Sequence, residues 1–342
     1  MSAIYITTQG SVIQRRSGQF LVCKGSEILQ HIPEAHVRQF VLFGNVNIST
    51  PAVAFCLDTK IDVVFLTQGG RFRGRLNGDG GKSAELRSRQ YQRAHDKEFC
   101  LTQARVIVAG KISNLIAVAR RQNNVRSAEP EIRGLAKAVE NARQARSVET
   151  LLGIEGAASA AYFKLFGSWM PEPWRFGKRI AHPPGDPVNA MMSLAYTLLY
   201  NRMTSHLNEI GLDPYQGFFH TVRYGHAALA SDLIEEFRAP LADLLVLKLL
   251  RRKQLKLADI VEDKGEFKMK PAASKIFFTE FENKLNSRRA AKGERDLSLT
   301  YAQIFKRQAH QIVHVITGEN PIYVPFALLV KASKTETRDA NC

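Results

Sequence analysis

Short apolar runs separated by glycine fill the first 85 residues of the chain. IYITTQG, SVIQRRSG, QFLVCKG, EILQHIP, QFVLFG, NVNIST, DVVFLTQGG and RFRGRL are rich in Val, Ile and Phe and are punctuated by turn residues. Turn signals that close together predict a small sandwich or barrel in preference to βαβ units. TPAVAFCLDTK, residues 50–60, breaks the pattern: it opens on Thr-Pro and spaces its apolar residues helically, so a short helix is expected. The glycine-rich NGDGGKSAE, residues 77–85, reads as a surface loop, since its glycine spacing and context do not match a phosphate-binding P-loop.

From Glu85 onward the period changes to that of a helix. Leu101, Ala104, Val108, Ile112 and Leu115 recur at helical spacing and predict one buried face opposite a polar one. Residues 147–169 are expected to be helical, with Gly153, Gly156, Ala157, Ala158, Ser159, Ala160 and Ala161 allowing another element to approach closely. Glu155 stands among them and needs a partner, because burying an unpaired charge is costly; a salt bridge to an arginine or a functional role would each supply one. In the turn HPPGDP, which starts at His182, Asp186 is the expected N-cap of the next helix, Pro187 its first residue and Asn189 a structural hydrogen-bonder. Residues 229–250 read as helix, followed by a small hairpin and two further helices, the last over residues 302–318. His310 and His314 share a face of that last helix. No acid follows at zinc-peptidase spacing, so packing or DNA contact is expected there. The polar tail SKTETRDANC is expected to be disordered.

Charge sharpens the picture. The 342 residues carry 48 Lys and Arg against 32 Asp and Glu, a net +16 that favours polyanionic partners, nucleic acid first among them. The excess concentrates between Leu86 and Arg146, with 13 basic residues against 5 acidic ones. Arg87, Arg89, Arg93, Lys97, Arg105, Lys111, Arg120, Arg121 and Arg126 all fall there, and a phosphate-contacting surface is the expectation. Cys23, Cys56, Cys100 and Cys342 lack metal spacing and read as free thiols in a reducing cytoplasm. The N-terminus lacks the basic and apolar regions of a signal peptide, and no apolar run approaches membrane-spanning length, so a soluble cytoplasmic protein with no membrane partner is expected.

The candidate chemistry lies in residues 217–236, GFFHTVRYGHAALASDLIEE. His220 sits in a turn, and Asp232, Glu235 and Glu236 follow at i, i+3 and i+4, which puts them on one side of a helix. An imidazole with several carboxylates is what a divalent cation needs, although the same residues could form a salt-bridge network.

Together with LLGIEGAASAAYF, HPPGDPVNA, LASDLIEEFRAPLAD and GENPIYVPF in this order, that stretch resembles the CRISPR-associated protein one family over nearly the whole length. The resemblance implies an α+β chain: a small N-terminal β-sandwich-like domain, residues 1–85, used for dimerisation, then a larger all-α catalytic domain, residues 86–342, with a basic DNA-binding surface and a flexible C-terminal tail. It implies Mg²⁺ or Mn²⁺ held by Glu155, His220 and Glu235, with Asp232 as an additional candidate ligand. Glu236, left over from the three acids, is read as a structural partner for a nearby arginine. His226 stands where relatives carry arginine or another polar group and is given no metal role. The implied activity is that of a metal-dependent DNA endonuclease and integrase of CRISPR adaptation. It would insert spacer DNA into the repeat array by 3′-hydroxyl attack on a phosphodiester, as a homodimer bridged to a second dimer by CRISPR-associated protein two. The alternatives are a non-catalytic nucleic-acid-binding scaffold and a metal-dependent RNase.

Overall fold

The computed structural model describes residues 2–78, 83–122, 128–181, 183–263, 265–290 and 298–329. The centre of NGDGGKSAE, Arg126, His182, Cys342 and the polar tail therefore lie outside the described residues.

Eight strands build two four-stranded sheets. One has the order β1 (Ser2–Ile6), β5 (Val37–Phe43), β7 (Asp62–Leu66), β8 (Phe72–Leu76); the other has β4 (Glu27–Pro33), β3 (Gln19–Lys24), β2 (Ser11–Arg16), β6 (Val46–Ile48). Ile13, Phe20, Val22, Phe40, Leu42 and Val63 fill the space between them. The sandwich reading holds for the layers, but both sheets are mixed: β1, β5 and β7 run parallel with β8 antiparallel, and β6 runs parallel to β2 beside the antiparallel β2, β3 and β4. Parallel neighbours need a crossover, and the expected short helix α1 (Thr50–Asp58) is part of it, burying Ala52 and Cys56 between β6 and β7 in sequence.

Strand β5 is apolar on both faces. Phe40 and Leu42 point into the sandwich, while Val41 and Phe43 join the core of the helical part. Tyr5 stacks on Phe278 with ring centroids 4.4 Å apart and donates to Glu282 at 2.6 Å. Asp62 pairs with Arg75 at 3.3 Å and accepts from Gln39 at 2.6 Å, and Arg75 reaches the Asn201 carbonyl at 3.0 Å. The sheet is thus bolted to the helices.

Those helices are α2 (Ala84–His95), α3 (Lys97–Ala119), α4 (Glu129–Gln144), α5 (Val148–Ser168), α6 (Pro187–Ile210), α7 (Ala228–Phe237) and α8 (Leu244–Arg251). After them come the hairpin of β9 (Ile260–Asp263) and β10 (Glu266–Met269), α9 (Pro271–Asn286), a small pair of β11 (Arg288–Ala290) and β12 (Ser298–Thr300), and α10 (Tyr301–Thr317). Asp186 caps α6 as expected, accepting from the Asn189 backbone N–H at 2.8 Å with Pro187 in the first turn. Asn189 is the expected structural hydrogen-bonder: its amide bridges Arg179, Ile180 and Lys178. His310 and His314 lie on the exposed side of α10, and His314 pairs with Glu319 at 2.5 Å, so they take no part in packing.

Two expectations about helix faces change. α3 packs against α2, α4, α5 and α7 and is the central helix of the core, with Gln103, Lys111 and Asn114 buried alongside its apolar residues. It is, against the expectation, long and apolar enough to cross a membrane by length and composition, with a mean hydropathy of 1.2, but most of that window is buried in the bundle. Only part of the small-residue run of α5 faces a neighbouring element: Ala158 is buried and Ala161 packs against the core. Gly153, Gly156, Ala157 and Ala160 are exposed, and a Cβ built on Gly153 or Gly156 would meet nothing within 4 Å.

Candidate metal centre

Three helices supply the site. α5 carries Glu155, α7 carries Asp232, Glu235 and Glu236, and α3 brings in Lys111. His220 stands in the turn before α7, and that turn is set by one carboxylate. Asp232 accepts the backbone N–H groups of Phe218 at 2.7 Å, Phe219 at 3.0 Å and His220 at 2.9 Å, and its Oδ1 lies 2.6 Å from His220 Nδ1. The approach is so close that a Cβ at Gly217 would stand 2.7 Å from Asp232 Oδ2 and 2.8 Å from the Ala228 backbone, which explains the glycine of GFFH. A carboxylate can only accept, so the proton between the two belongs on Nδ1, and the Nε2 edge is the one aimed at Glu235, 3.8 Å away. Asp232 is therefore the residue behind His220. Its oxygens are already taken up by four donors.

Glu155 and Glu235, 80 positions apart, converge on one cation, the ammonium of Lys111. It makes a close contact with Glu155 and lies 2.5 Å from Glu235 Oε2. Ser159 donates to Glu155 at 2.9 Å, and Arg238 holds the other oxygen of Glu235 at 3.0 Å. Burial would raise the Glu235 pKa, but Arg238, Lys111 and His220 outweigh it and hold the carboxyl at about 2. Burial likewise depresses His220, yet Asp232 and Glu235 raise its pKa above the ordinary value. His226 shifts the other way, lowered by burial and by His220, and its Nε2 faces Ser231 Oγ at 3.1 Å, away from a ligand role.

The donor set suits a hard divalent ion: two carboxylates and an imidazole, with Glu235 Oε2 buried and met by no donor other than the Lys111 ammonium. Among the described residues no three His, Cys, Asp or Glu side chains are close enough to hold a metal as they stand. The Lys111 ammonium takes the position between the two acids.

Glu236 turns away from the cluster, accepting from Tyr323 Oη at 2.9 Å and from the Phe326 N–H at 2.7 Å, and the arginine whose charge acts on it is Arg307. Burial, partly offset by these donors, pushes its pKa up to about 8. With Asn114, which bonds Phe326 and Leu328, it ties the segment after α10 to α3 and α7.

Reading the sequence missed Lys111 and Arg238 as members of the site. The signal for Lys111 was present: it stands three residues after Val108 and four before Leu115, on the apolar stripe of α3. Several other residues of the basic stretch are also spent on structure. Arg87 donates to the Gly211 carbonyl at 3.0 Å, Arg93 to Ile316 at 3.4 Å and Arg105 to Ala145 at 2.7 Å, and Arg121 bonds the Leu329 carbonyl. Lys97 and Arg120 remain on the exposed surface.

In class, this is an α+β protein whose helical part gathers two acids and a histidine around a buried lysine. The chain belongs to the Cas1 family: the sequence model described as CRISPR associated protein Cas1 matches residues 4–283. A relative named CRISPR-associated endonuclease Cas1 3, from Thermus thermophilus, is 34% identical over 332 residues, covering 96% of this chain and 98% of its own length. Among solved structures, a casposase bound to integration product superposes with a TM-score of 0.84 at 20% identity, covering 97% of this chain and 94% of that one. A Cas6-RT-Cas1–Cas2 complex gives 0.82 at 24% identity, with 97% of this chain matching 36% of that chain. At those identities the two structures speak for the fold.

Proposed function

We propose that the chain is a divalent-metal-dependent DNA endonuclease and integrase that inserts spacer DNA into a CRISPR repeat array. The observation that carries this is the convergence of Glu155 and Glu235 on a single cation beside the Nε2 edge of His220. Glu155, His220 and Glu235 would hold Mg²⁺ or Mn²⁺, and Asp232 would orient His220, as the partner behind a metal-ligating histidine commonly does. Such an ion polarises a phosphate oxygen and stabilises charge on the attacking and leaving oxygens.

The protein's own residues do the rest. Asp232 keeps the Nδ1 proton in place, so the imidazole cannot turn its other face to the site. Arg238 anchors Glu235 from the side away from Lys111. Glu155 is 22% exposed, and Gly156 next to it on α5 carries no side chain, which leaves that flank of Glu155 accessible to a substrate. In strand transfer the 3′-hydroxyl of the incoming end forms a new P–O bond, the original P–O bond breaks, and the departing 3′-oxygen takes up a proton. Water attacking in place of the hydroxyl gives cleavage. A backbone-directed basic surface, with Lys97 and Arg120 among its exposed members, would hold both DNA duplexes without reading bases.

The relative's name supports the nuclease assignment, and the titles of the two structures support DNA integration and a Cas2 partner. Residues 1–85 form the dimerisation domain and residues 86–342 the catalytic domain in this reading. The open edge strand β4, with Ile28 and Leu29 exposed, supports pairing with a second copy. The test is a strand-transfer and plasmid-nicking assay in Mn²⁺ with Glu155→Ala and His220→Ala. Both variants are expected to lose both activities while still binding DNA. Near-normal integration by the two would overturn the assignment.

A further inference from the structure

A lysine whose side chain is 10% exposed, on the central helix of a core, is unusual unless something holds it there. Lys111 is held by charge: its ammonium contacts Glu155 and Glu235, the two acids whose closeness would otherwise be repulsive. Nζ lies 2.5 Å from Glu235 Oε2, and no other donor bonds that oxygen. Arg238 differs, because it grips the opposite oxygen of Glu235 and stacks over Tyr196, so it can stay when Lys111 leaves.

The position between the two carboxylates is also where a metal shared by Glu155 and Glu235 would have to lie. A divalent ion and an ammonium cannot both occupy it. Three carboxylates, Glu155, Asp232 and Glu235, face Lys111, Arg238 and His220, so adding two positive charges with the lysine still in place would crowd cations against one another. A lysine stem has four rotatable carbons and can withdraw its charge without moving the helix.

We propose that Lys111 is the resident counter-ion of the metal position: it holds Glu155 and Glu235 together in the metal-free protein, and the incoming divalent ion displaces it. The inference rests on the metal assignment made above. It makes Lys111 a positioning residue that keeps the acids prearranged and weakens metal affinity by competing for them.

The test is Mn²⁺ binding by calorimetry, without DNA, to the full chain and to Lys111→Met and Glu235→Gln. Lys111→Met is expected to bind about tenfold tighter, equivalent to about 1.4 kcal/mol, and to gain more thermal stability on adding Mn²⁺ than the unaltered protein. Equal or weaker binding by Lys111→Met, with Glu235→Gln impaired, would overturn the counter-ion role alone. Unimpaired binding by Glu235→Gln would instead overturn the metal assignment. If Lys111→Met does not fold, amine labelling of the unaltered protein decides: modification of Lys111, read by mass spectrometry, is expected to rise on adding Mn²⁺. No change or a fall would overturn the proposal.

Discussion

Glu236→Gln should make the protein more stable at neutral and mildly alkaline pH, by an amount that grows with pH. Glu236 is 3% exposed and accepts from Tyr323 and the Phe326 N–H, and its pKa is pushed up to about 8 against an ordinary 4.5. A carboxyl whose folded pKa lies above its unfolded value stabilises fully below the unfolded pKa and loses that contribution as pH rises toward the folded one. Each pH unit in that window is worth about 1.4 kcal/mol, so the loss between pH 4.5 and 8 approaches 5 kcal/mol at most. Local lifting of the segment after α10 would cap it lower. A neutral amide has the same shape and does not titrate. Its oxygen can accept from Phe326, and its NH₂ can donate to the Tyr323 oxygen. Urea unfolding of both proteins at pH 5, 6, 7 and 8, in EDTA so that metal at the neighbouring Glu235 does not contribute, gives the difference directly. It should be small at pH 5 and widen steadily to pH 8. Parallel stability curves would refute the argument.

Asp232→Asn turns an NH₂ group toward backbone donors that now share a carboxylate; with charged hydrogen bonds worth about 1.5–3 kcal/mol each, a loss of about 3 kcal/mol is expected. Mn²⁺ affinity should fall by about 10- to 100-fold, and calorimetry with unchanged affinity would count against Asp232 as the residue that orients His220. Gly156→Leu should fold as well or better, since its Cβ meets nothing and leucine favours a helix over glycine by about 0.5–1 kcal/mol. Strand transfer should nevertheless drop sharply, and full activity would show that the flank of α5 beside Glu155 is not the substrate's approach. Replacing Lys97 or Arg120 by Ala should lower the slope of log affinity for DNA against log salt by about 1 for each phosphate that the side chain neutralises, measured by fluorescence anisotropy. An unchanged slope would remove that residue from the DNA surface.

Much of the fold was legible because alternation and turn residues act locally. The strands before residue 77, the helix starting at Thr50 and the Asp186–Pro187 helix start all follow from neighbours in sequence. What was not legible depended on distant partners. The parallel pairing of β1 with β5 is a matter of topology, and no local pattern specifies it. α3 looked two-faced because Lys111 was assigned to a phosphate-contacting surface; Lys111, Asn114 and Gln103 in fact face acids, a carbonyl-rich segment and the Tyr323 backbone N–H. In the site, Asp232, Glu235 and Glu236 do share one helix, yet they divide their work in three directions. Spacing put them together, but it could not say that Asp232 would be consumed by backbone N–H groups or that Glu236 would bind a tyrosine.

The cluster of Lys111, Glu155, His220 and Glu235 is assembled from elements that emerge from the ribosome far apart in time. A chain interrupted anywhere before α7 has half of its acids and no carboxylate to set the turn at His220. A nascent chain that has not yet reached α7 therefore cannot carry the complete cluster. For a protein proposed to cut and join DNA, the order of its helices withholds that activity until most of the chain is made.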